Sequence, residues 1–150
     1  MSEKTLATNR KARFEYFILE KFEAGVALQG TEIKSVRAGQ VSLSEAYVRI
    51  EDGRNAWLIG AHISPYDPAS RFNHNPTRNR RLLLNKKEIR ELWNDVRLKG
   101  STIVPLRVYL SHGLAKVEIG VAKGKKLYDK RNEIAKKDAE REQNRRGKEQ

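Results

Sequence analysis

The sequence predicts a mainly β fold, a small β-barrel with two or three inserted helices and a basic C-terminal tail. Two turn signals, Asp52-Gly53 and His112-Gly113, each stand between segments in which apolar and polar residues alternate. Such a pair of residues between alternating segments is typical of a tight turn joining antiparallel strands. The chain has 150 residues, which suits one domain with its own hydrophobic core.

The first predicted strand is the segment EYFILEKFEAGVAL, with Gly25 as the site of a bulge or bend. A short helix follows in GTEIKSVRAGQ, with Thr31 as its N-cap and Gly39 past its end. The segment AYVRIEDGRNAWLIGAHI then forms a hairpin that turns at Asp52-Gly53.

A longer helix is predicted after Leu84. Asn85 is its N-cap, Glu88 completes a capping box, and Gly100 ends it. Its apolar residues recur at helical spacing and predict one buried stripe, formed by Ile89, Leu92, Trp93 and Val96. We therefore expect Trp93 to be a core residue.

The last hairpin joins TIVPLRVYLS to LAKVEIGVA. A single register places apolar pairs on one face and complementary polar pairs on the other. The apolar pairs are Val108–Val117, Leu106–Ile119 and Val104–Val121, and the polar pairs are Arg107–Glu118 and Tyr109–Lys116. Pro105 lies on this ladder, which predicts an edge position or a bulge there. A barrel of the OB type fits the chain's size and strand count, and such barrels bind nucleic acid on their outer face.

The basic charge of the chain lies in three segments. The net charge is +12, and residues 1–13, 71–90 and 123–150 carry +3, +6 and +5, so the remainder is slightly acidic at −2. Clustered cations favour a polyanionic partner, because each neutralised phosphate releases counterions. A surface that serves solubility alone is the alternative.

The sequence lacks the residues that several classes of function require. The chain has no cysteine, which excludes disulfides and the usual structural zinc sites, and its three histidines show no metal-ligand spacing. No nucleophile elbow and no complete phosphate-binding loop occur. Neither a membrane-spanning apolar run nor a signal-peptide segment is found. We expect a cytoplasmic protein that is not an enzyme, needs no cofactor and has no membrane partner.

Basic and aromatic residues alternate in TNRKARFEYF, a mixture that suits both phosphates and unstacked bases. Its candidate RNA-binding residues are Asn9, Arg10, Lys11, Arg13 and Tyr16. Phe14 and Tyr16 could equally be core residues at a strand edge. Lys34 and Arg37, on one face of the short helix, are candidates for contact with an RNA backbone, or are simply solvated.

Three segments of the chain carry a family resemblance, and they are TNRKARFEYFILEKFEAGVALQGTEIKSVRAG, HNPTRNRRLLLNKKEI and VEIGVAKGKKLYDKR. They resemble the SmpB family of proteins that bind transfer-messenger RNA (tmRNA), and the resemblance runs from about Leu6 to Arg131. It implies an OB-like barrel at residues 1–123 that binds the tRNA-like domain of tmRNA, one protein per RNA. It also implies delivery of that alanine-charged RNA to stalled ribosomes.

The same resemblance assigns RNA-related roles to particular positions. Asn9, Tyr16, Glu23, Leu83 and Asn85 fall at positions linked to RNA binding or to the shape of the RNA-binding face. A carboxylate such as that of Glu23 would act by bonding a base or a 2′-hydroxyl, or by fixing a neighbouring cation. A basic segment at the end of the last strand, Lys123, Lys125 and Lys126, completes the expected RNA-binding set.

The remaining predictions concern the tail, residues 124–150. Past Tyr128 the only large apolar residue is Ile134, too little to offset backbone ordering, so we expect disorder in the free protein. The family resemblance implies a helix in the mRNA channel of the small ribosomal subunit, with Tyr128 stacked in the decoding centre. The expected ribosome-binding residues are Tyr128, Asp129, Lys130, Arg131, Lys136 and Lys137. A ribosome-associated protein that binds rRNA permanently is the alternative function.

Overall fold

The computed structural model describes residues 3–66 and 73–125 and shows a mainly β architecture. Strands hold more of the described residues than helices do, and three helices are inserted between them. The elements in chain order are β1 (Lys4–Thr8), α1 (Arg10–Glu15), β2 (Tyr16–Val26), α2 (Gly30–Arg37), β3 (Val41–Ser42), β4 (Tyr47–Glu51), β5 (Asn55–Ile59), β6 (His62–Ile63), β7 (Arg80–Leu83), α3 (Lys86–Lys99), β8 (Thr102–Ser111) and β9 (Leu114–Gly124).

Six strands close into a ring. They are hydrogen-bonded in the order β8-β4-β5-β7-β2-β9, and β9 pairs again with β8. Strand β1 pairs with β8 as an addition to this ring, and β3 pairs with β6 in a separate two-stranded sheet. The main core takes buried apolar side chains from all six ring strands and from α2 and α3. The prediction of a mainly β fold with inserted helices is confirmed.

The β8–β9 hairpin has the predicted register only near its turn. The pairs from Tyr109 back to Arg107 are confirmed, and His112 adopts the left-handed conformation of a turn residue, at φ 52°. Beyond Arg107 the prediction was wrong by one position, because a bulge at Leu106 shifts the ladder and Pro105 then faces Ile119. Proline has no N–H to donate, so a bulge at this point avoids a lost ladder bond.

The bulge in β2 was predicted at Gly25, but it lies at Leu19. The ladder between β2 and β9 shifts between Ile18 and Glu20, whereas Gly25 is regularly paired. Gly25 has a different role, because a Cβ added there would lie 3.2 Å from the Cβ of Leu83 on β7. The glycine permits close approach of two strands.

One helix starts earlier than expected, and another helix is additional to the predicted ones. Gln29, not Thr31, is the N-cap of α2, and it forms a capping box with Glu32. Thr31 instead places its hydroxyl 2.9 Å from Nδ1 of the buried His74. Helix α1 was not predicted, although its N-cap Asn9 is a residue type favoured there.

Helix α3 begins and ends as predicted, with the capping box of Asn85 and Glu88 and with Gly100 in the left-handed conformation. Its stripe is only partly buried. Ile89 and Leu92 lie in the core, but Trp93 is half-buried and Val96 is exposed. Trp93 therefore contacts both the core and a surface groove.

A buried ion triad joins α2 to β7. Neither the side chain of Glu32 nor that of Arg80 is exposed (0% each), and Arg80 Nε donates to Glu32 Oε2 at 2.7 Å. Arg78 donates to the other carboxylate oxygen, which also accepts the backbone N–H of Gln29 at 2.8 Å. Arg80 also donates to the carbonyl oxygens of Ala61 at 2.7 Å and Pro76 at 3.0 Å. Every oxygen of this buried carboxylate is therefore matched by a donor.

Glu32→Gln should lower the free energy of unfolding by about 3–5 kcal/mol at neutral pH, because it leaves the buried Arg80 without a counter-charge. Burial raises the pKa of Glu32, but the bonds from Arg78, Gln29 and Arg80 outweigh it, so the pKa lies below its usual 4.5. Stabilisation from the carboxylate is thus present above pH 4.5 and is lost as the pH falls through the lowered pKa. Urea unfolding across pH checks both statements.

Glu45→Gln is the matched control, since Glu45 pairs with Lys11 on the surface at 2.8 Å. Its effect on the free energy of unfolding should be near zero. Equal losses in the two variants would contradict a special role for the buried triad.

Candidate nucleic-acid interface

Leu83 is an exposed apolar residue set on the outside of the ring by the alternation of β7. Arg80 and Leu82 of this strand are buried, whereas Leu83 is 55% exposed. Leu83 is paired with Gly25 of β2, which is paired in turn with Lys116 of β9. Since directly paired residues share a face of a sheet, Leu83 and Lys116 stand on the same side, separated by a glycine.

Glu23 holds Lys116 in place beside Leu83. Lys116 Nζ donates to Glu23 Oε1 at 2.7 Å, and the Tyr109 hydroxyl is also hydrogen-bonded to Glu23. The bond from Lys116, followed by the one from Tyr109, lowers the pKa of Glu23. Burial, followed by the bond to Glu23, raises the pKa of Tyr109, so that this hydroxyl stays a donor. The Glu23 carboxylate thus orients the Lys116 cation. Of the two roles expected for Glu23, this contact fits the fixing of a neighbouring cation rather than a bond to a base or a 2′-hydroxyl.

A cleft of about 550 Å³ lies between Leu83 and the tip of the β8–β9 hairpin. Leu114, 64% exposed, and Arg37 of α2 line it, and Arg37 donates to the carbonyl of Gly113 at 3.4 Å. We define the Leu83 surface as Glu23, Arg37, Leu83, Leu114 and Lys116. It combines two exposed leucines with two held cations, which suits an RNA that offers both bases and phosphates.

A second group of candidates lies around α1. The backbone N–H of Lys125 donates to the backbone carbonyl oxygen of Glu15 at 2.8 Å, and Lys125 Nζ lies 5.0 Å from the ring centroid of Phe17. Phe17 is paired with Lys123 across β2 and β9. We define the α1 surface by its exposed or half-buried members, Arg10, Lys11, Arg13, Phe17, Lys123 and Lys125.

Asn9 and Tyr16 belong to the interior of this region. Asn9 is 3% exposed, and its side chain accepts from Ala12 N at 3.1 Å and donates to Pro105 O at 2.9 Å and Leu43 O at 3.2 Å. Tyr16 is half-buried and packs against a small core cluster that includes Leu106. Asn9 therefore anchors α1 to the ring, and its predicted part in RNA binding would act through the exposed residues of that helix.

The structure divides the predicted site into two parts. Glu23 and Tyr16 are seven residues apart on β2, roughly 23 Å at ~3.3 Å per residue, so the Leu83 surface and the α1 surface are separate.

The other predicted site residues lie outside both surfaces. Asn85 caps α3, accepting from Glu88 N at 2.8 Å, and Lys34 is exposed with its Nζ 5.3 Å from the Tyr66 ring centroid. Lys126 and the tail predictions at Tyr128, Asp129, Lys130, Arg131, Lys136 and Lys137 lie outside the described residues.

Lys116 and Leu114 were not among the predicted site residues. Their place beside Leu83 depends on the pairing of β9 with β2, which joins segments about ninety residues apart, whereas the sequence pattern indicated only the local β8–β9 pairing. Within residues 3–66 and 73–125, no cluster of three or more histidine, aspartate or glutamate side chains could hold a metal ion. In the same part of the chain, no helix has the length and apolarity needed to cross a membrane.

Comparisons with known proteins agree on one family. The family model for the SmpB protein matches residues 6–149. The SsrA-binding protein of Desulforudis audaxviator is 57% identical over 140 residues, covering 93% of this chain and 91% of that protein. The SsrA-binding protein of Carboxydothermus hydrogenoformans is 56% identical over 140 residues, covering 93% of each.

A solved structure agrees with these matches. It is described as "tmRNA-SmpB: a journey to the center of the bacterial ribosome" and matches with a TM-score of 0.68 at 48% identity, covering 81% of this chain and 85% of that chain. Sequence and fold therefore give the same answer over most of the chain, and the resemblance found in the sequence is confirmed. This chain belongs to the SmpB family.

Proposed function

We propose that this protein is a non-catalytic, cytoplasmic adaptor that binds the tRNA-like domain of tmRNA and delivers it to stalled ribosomes for trans-translation. The observation that carries the proposal is the Leu83 surface, an exposed leucine pair beside two held cations on a closed ring. Relatives at 56–57% identity are named SsrA-binding proteins, and the matching solved structure is described as tmRNA-SmpB in connection with the bacterial ribosome.

The Leu83 surface suits a folded RNA better than a linear one. Lys116 is bonded to Glu23 at 2.7 Å, and Arg37 is bonded to the carbonyl oxygen of Gly113 at the hairpin tip at 3.4 Å. Because both cations are held in this way, they favour an RNA whose phosphates lie at particular positions. Folded RNA hides most base edges, and recognition then depends on shape and backbone. The exposed leucines would contact the few unstacked bases or sugars that such an RNA presents.

The tail, residues 124–150, is proposed as the part that acts on the ribosome. Its net charge is positive, and Tyr128 offers a flat ring among cations such as Lys130 and Arg131, a combination suited to stacking on a base and contacting rRNA phosphates. The two parts of the chain would then have separate tasks. The closed ring of strands would bind tmRNA, and the tail would contact the small ribosomal subunit.

Leu83→Ala should weaken binding to the tRNA-like domain of tmRNA at least about fivefold, because truncating a central interface contact costs about 1 kcal/mol or more. The fold should be unaffected, since the side chain is exposed. Titration of the RNA at fixed salt, with an ordinary tRNA as a second ligand, measures the effect. Leu98→Ala is the control, because Leu98 is 70% exposed near the end of α3 and outside the Leu83 surface. Unchanged affinity in Leu83→Ala would contradict the proposed surface.

Truncation after Gly124 should leave most of the affinity for the tRNA-like domain and abolish rescue of stalled ribosomes. The reason is that the Leu83 surface lies wholly within the retained residues. RNA titration and a reconstituted tagging assay measure the two activities separately. Tyr128→Ala in the full chain tests the aromatic ring of Tyr128. This variant is expected to impair tagging more than RNA affinity. A loss of RNA affinity as large as the loss of tagging would contradict the division of tasks.

A further inference from the structure

A second basic groove lies between α3 and the turn that joins β4 to β5. Helix α3 lines it with Lys86, Arg90, Trp93 and Arg97, which follow one another at spacings of four, three and four residues. Side chains at such spacings share one face of a helix. The turn contributes the other wall, and the groove measures about 730 Å³.

Trp93 gives this groove a fixed floor. A Cβ added to Gly53, at the tip of the turn, would lie 3.4 Å from the Trp93 ring, so the turn backbone packs directly on the indole. The Arg97 guanidinium lies 5.6 Å from the centroid of the same ring and donates to Asn94 Oδ1 at 3.3 Å. Arg97 is therefore held over the indole, and no carboxylate of residues 3–66 or 73–125 forms an ion pair with it.

The other cations of the groove have no ion-pair partner among the described residues. Arg54, Lys86 and Arg90 form no salt bridge with any residue in the described part of the chain. Asp52 is the one acidic residue among the described residues that line the groove. Four cations around one carboxylate, without ion pairs of their own, make a site suited to a polyanion.

The groove is continuous with the Leu83 surface. A cleft of about 500 Å³ lies between them and shares Arg54 and Lys86 with the groove and Leu83 with the Leu83 surface. Arg81 also lines this cleft and donates to Asn55 Oδ1 at 3.0 Å. A basic path thus leads from the exposed leucines past β7 to α3.

We propose that the RNA bound at the Leu83 surface continues along this path, with its phosphates against Arg54, Lys86, Arg90 and Arg97. The inference rests on the proposed function, since it extends the same RNA–protein interface. We assign the contact to the RNA backbone, because the groove is lined mainly by cations and phosphates offer them a negative charge at every nucleotide. Trp93 acts as the support of Arg97 rather than as a contact of its own.

The test is the salt dependence of binding to the tRNA-like domain of tmRNA. The triple variant Arg54→Gln, Lys86→Gln and Arg90→Gln loses three phosphate contacts. The slope of log K against log salt should therefore fall in magnitude by about 2–3, at roughly 0.7–0.9 per phosphate. The matched control removes the same charge outside the groove, with Lys4→Gln, Lys21→Gln and Lys87→Gln, the last on α3 one position from Lys86. This control should keep the slope of the parent protein nearly unchanged.

The outcomes separate the two proposals. If the parent chain binds the RNA and the triple variant keeps both its affinity and its slope, the groove is not part of the interface. A control variant that loses as much slope as the triple variant would equally overturn it, because the effect would then be one of net charge. If the parent chain fails to bind this RNA, the proposed function fails, and the groove proposal fails with it. Thermal unfolding of both triple variants verifies that they are folded.

Discussion

A fully buried carboxylate, that of Glu32, holds the elements on which the Leu83 surface depends. Two arginines donate to it, one of them as buried as the carboxylate itself, and that arginine also binds the carbonyls of Ala61 and Pro76. One side chain on α2 thereby fixes the start of β7 and the residues before it. Removing one member would strand a charge in the interior, which makes the triad a constraint on the fold rather than a simple source of stability.

The constraint reaches the surface through strand alternation. Strand β7 has only four residues and closes the ring between β5 and β2. With Arg80 fixed inward, Leu82 must enter the core and Leu83 must face out, since a slip of one residue would exchange the two faces. Gly25 then lets Leu83 approach β2 closely, and Lys116 stands beyond it, oriented by Glu23. The burial of Arg80 at the start of β7 thus determines that Leu83, at its end, is exposed on the proposed RNA-binding surface.

Local signals in the sequence were sufficient for the hairpin turns, the α3 capping box and the mainly β class, because each depends on neighbouring residues. The errors have physical causes. The β8–β9 register failed beyond Arg107 because the bulge at Leu106 adds a residue that no periodicity marks. Gly25 was assigned to a bend because its contact, Leu83, is distant in sequence. Glu32 and Arg80 look like ordinary surface charges in the sequence, and only the fold buries them together.

The dependence of the Leu83 surface on Glu32 can be measured most directly by a double-mutant cycle on RNA affinity. Leu83→Ala is made in the parent protein and in Glu32→Gln, each checked to be folded at the temperature used, and both are titrated with the tRNA-like domain of tmRNA. If the triad sets the position of Leu83, the Leu83→Ala loss should be smaller in the Glu32→Gln background, with a coupling of about 0.5 kcal/mol or more. The same loss in both backgrounds would contradict the claim that the buried carboxylate controls the binding surface.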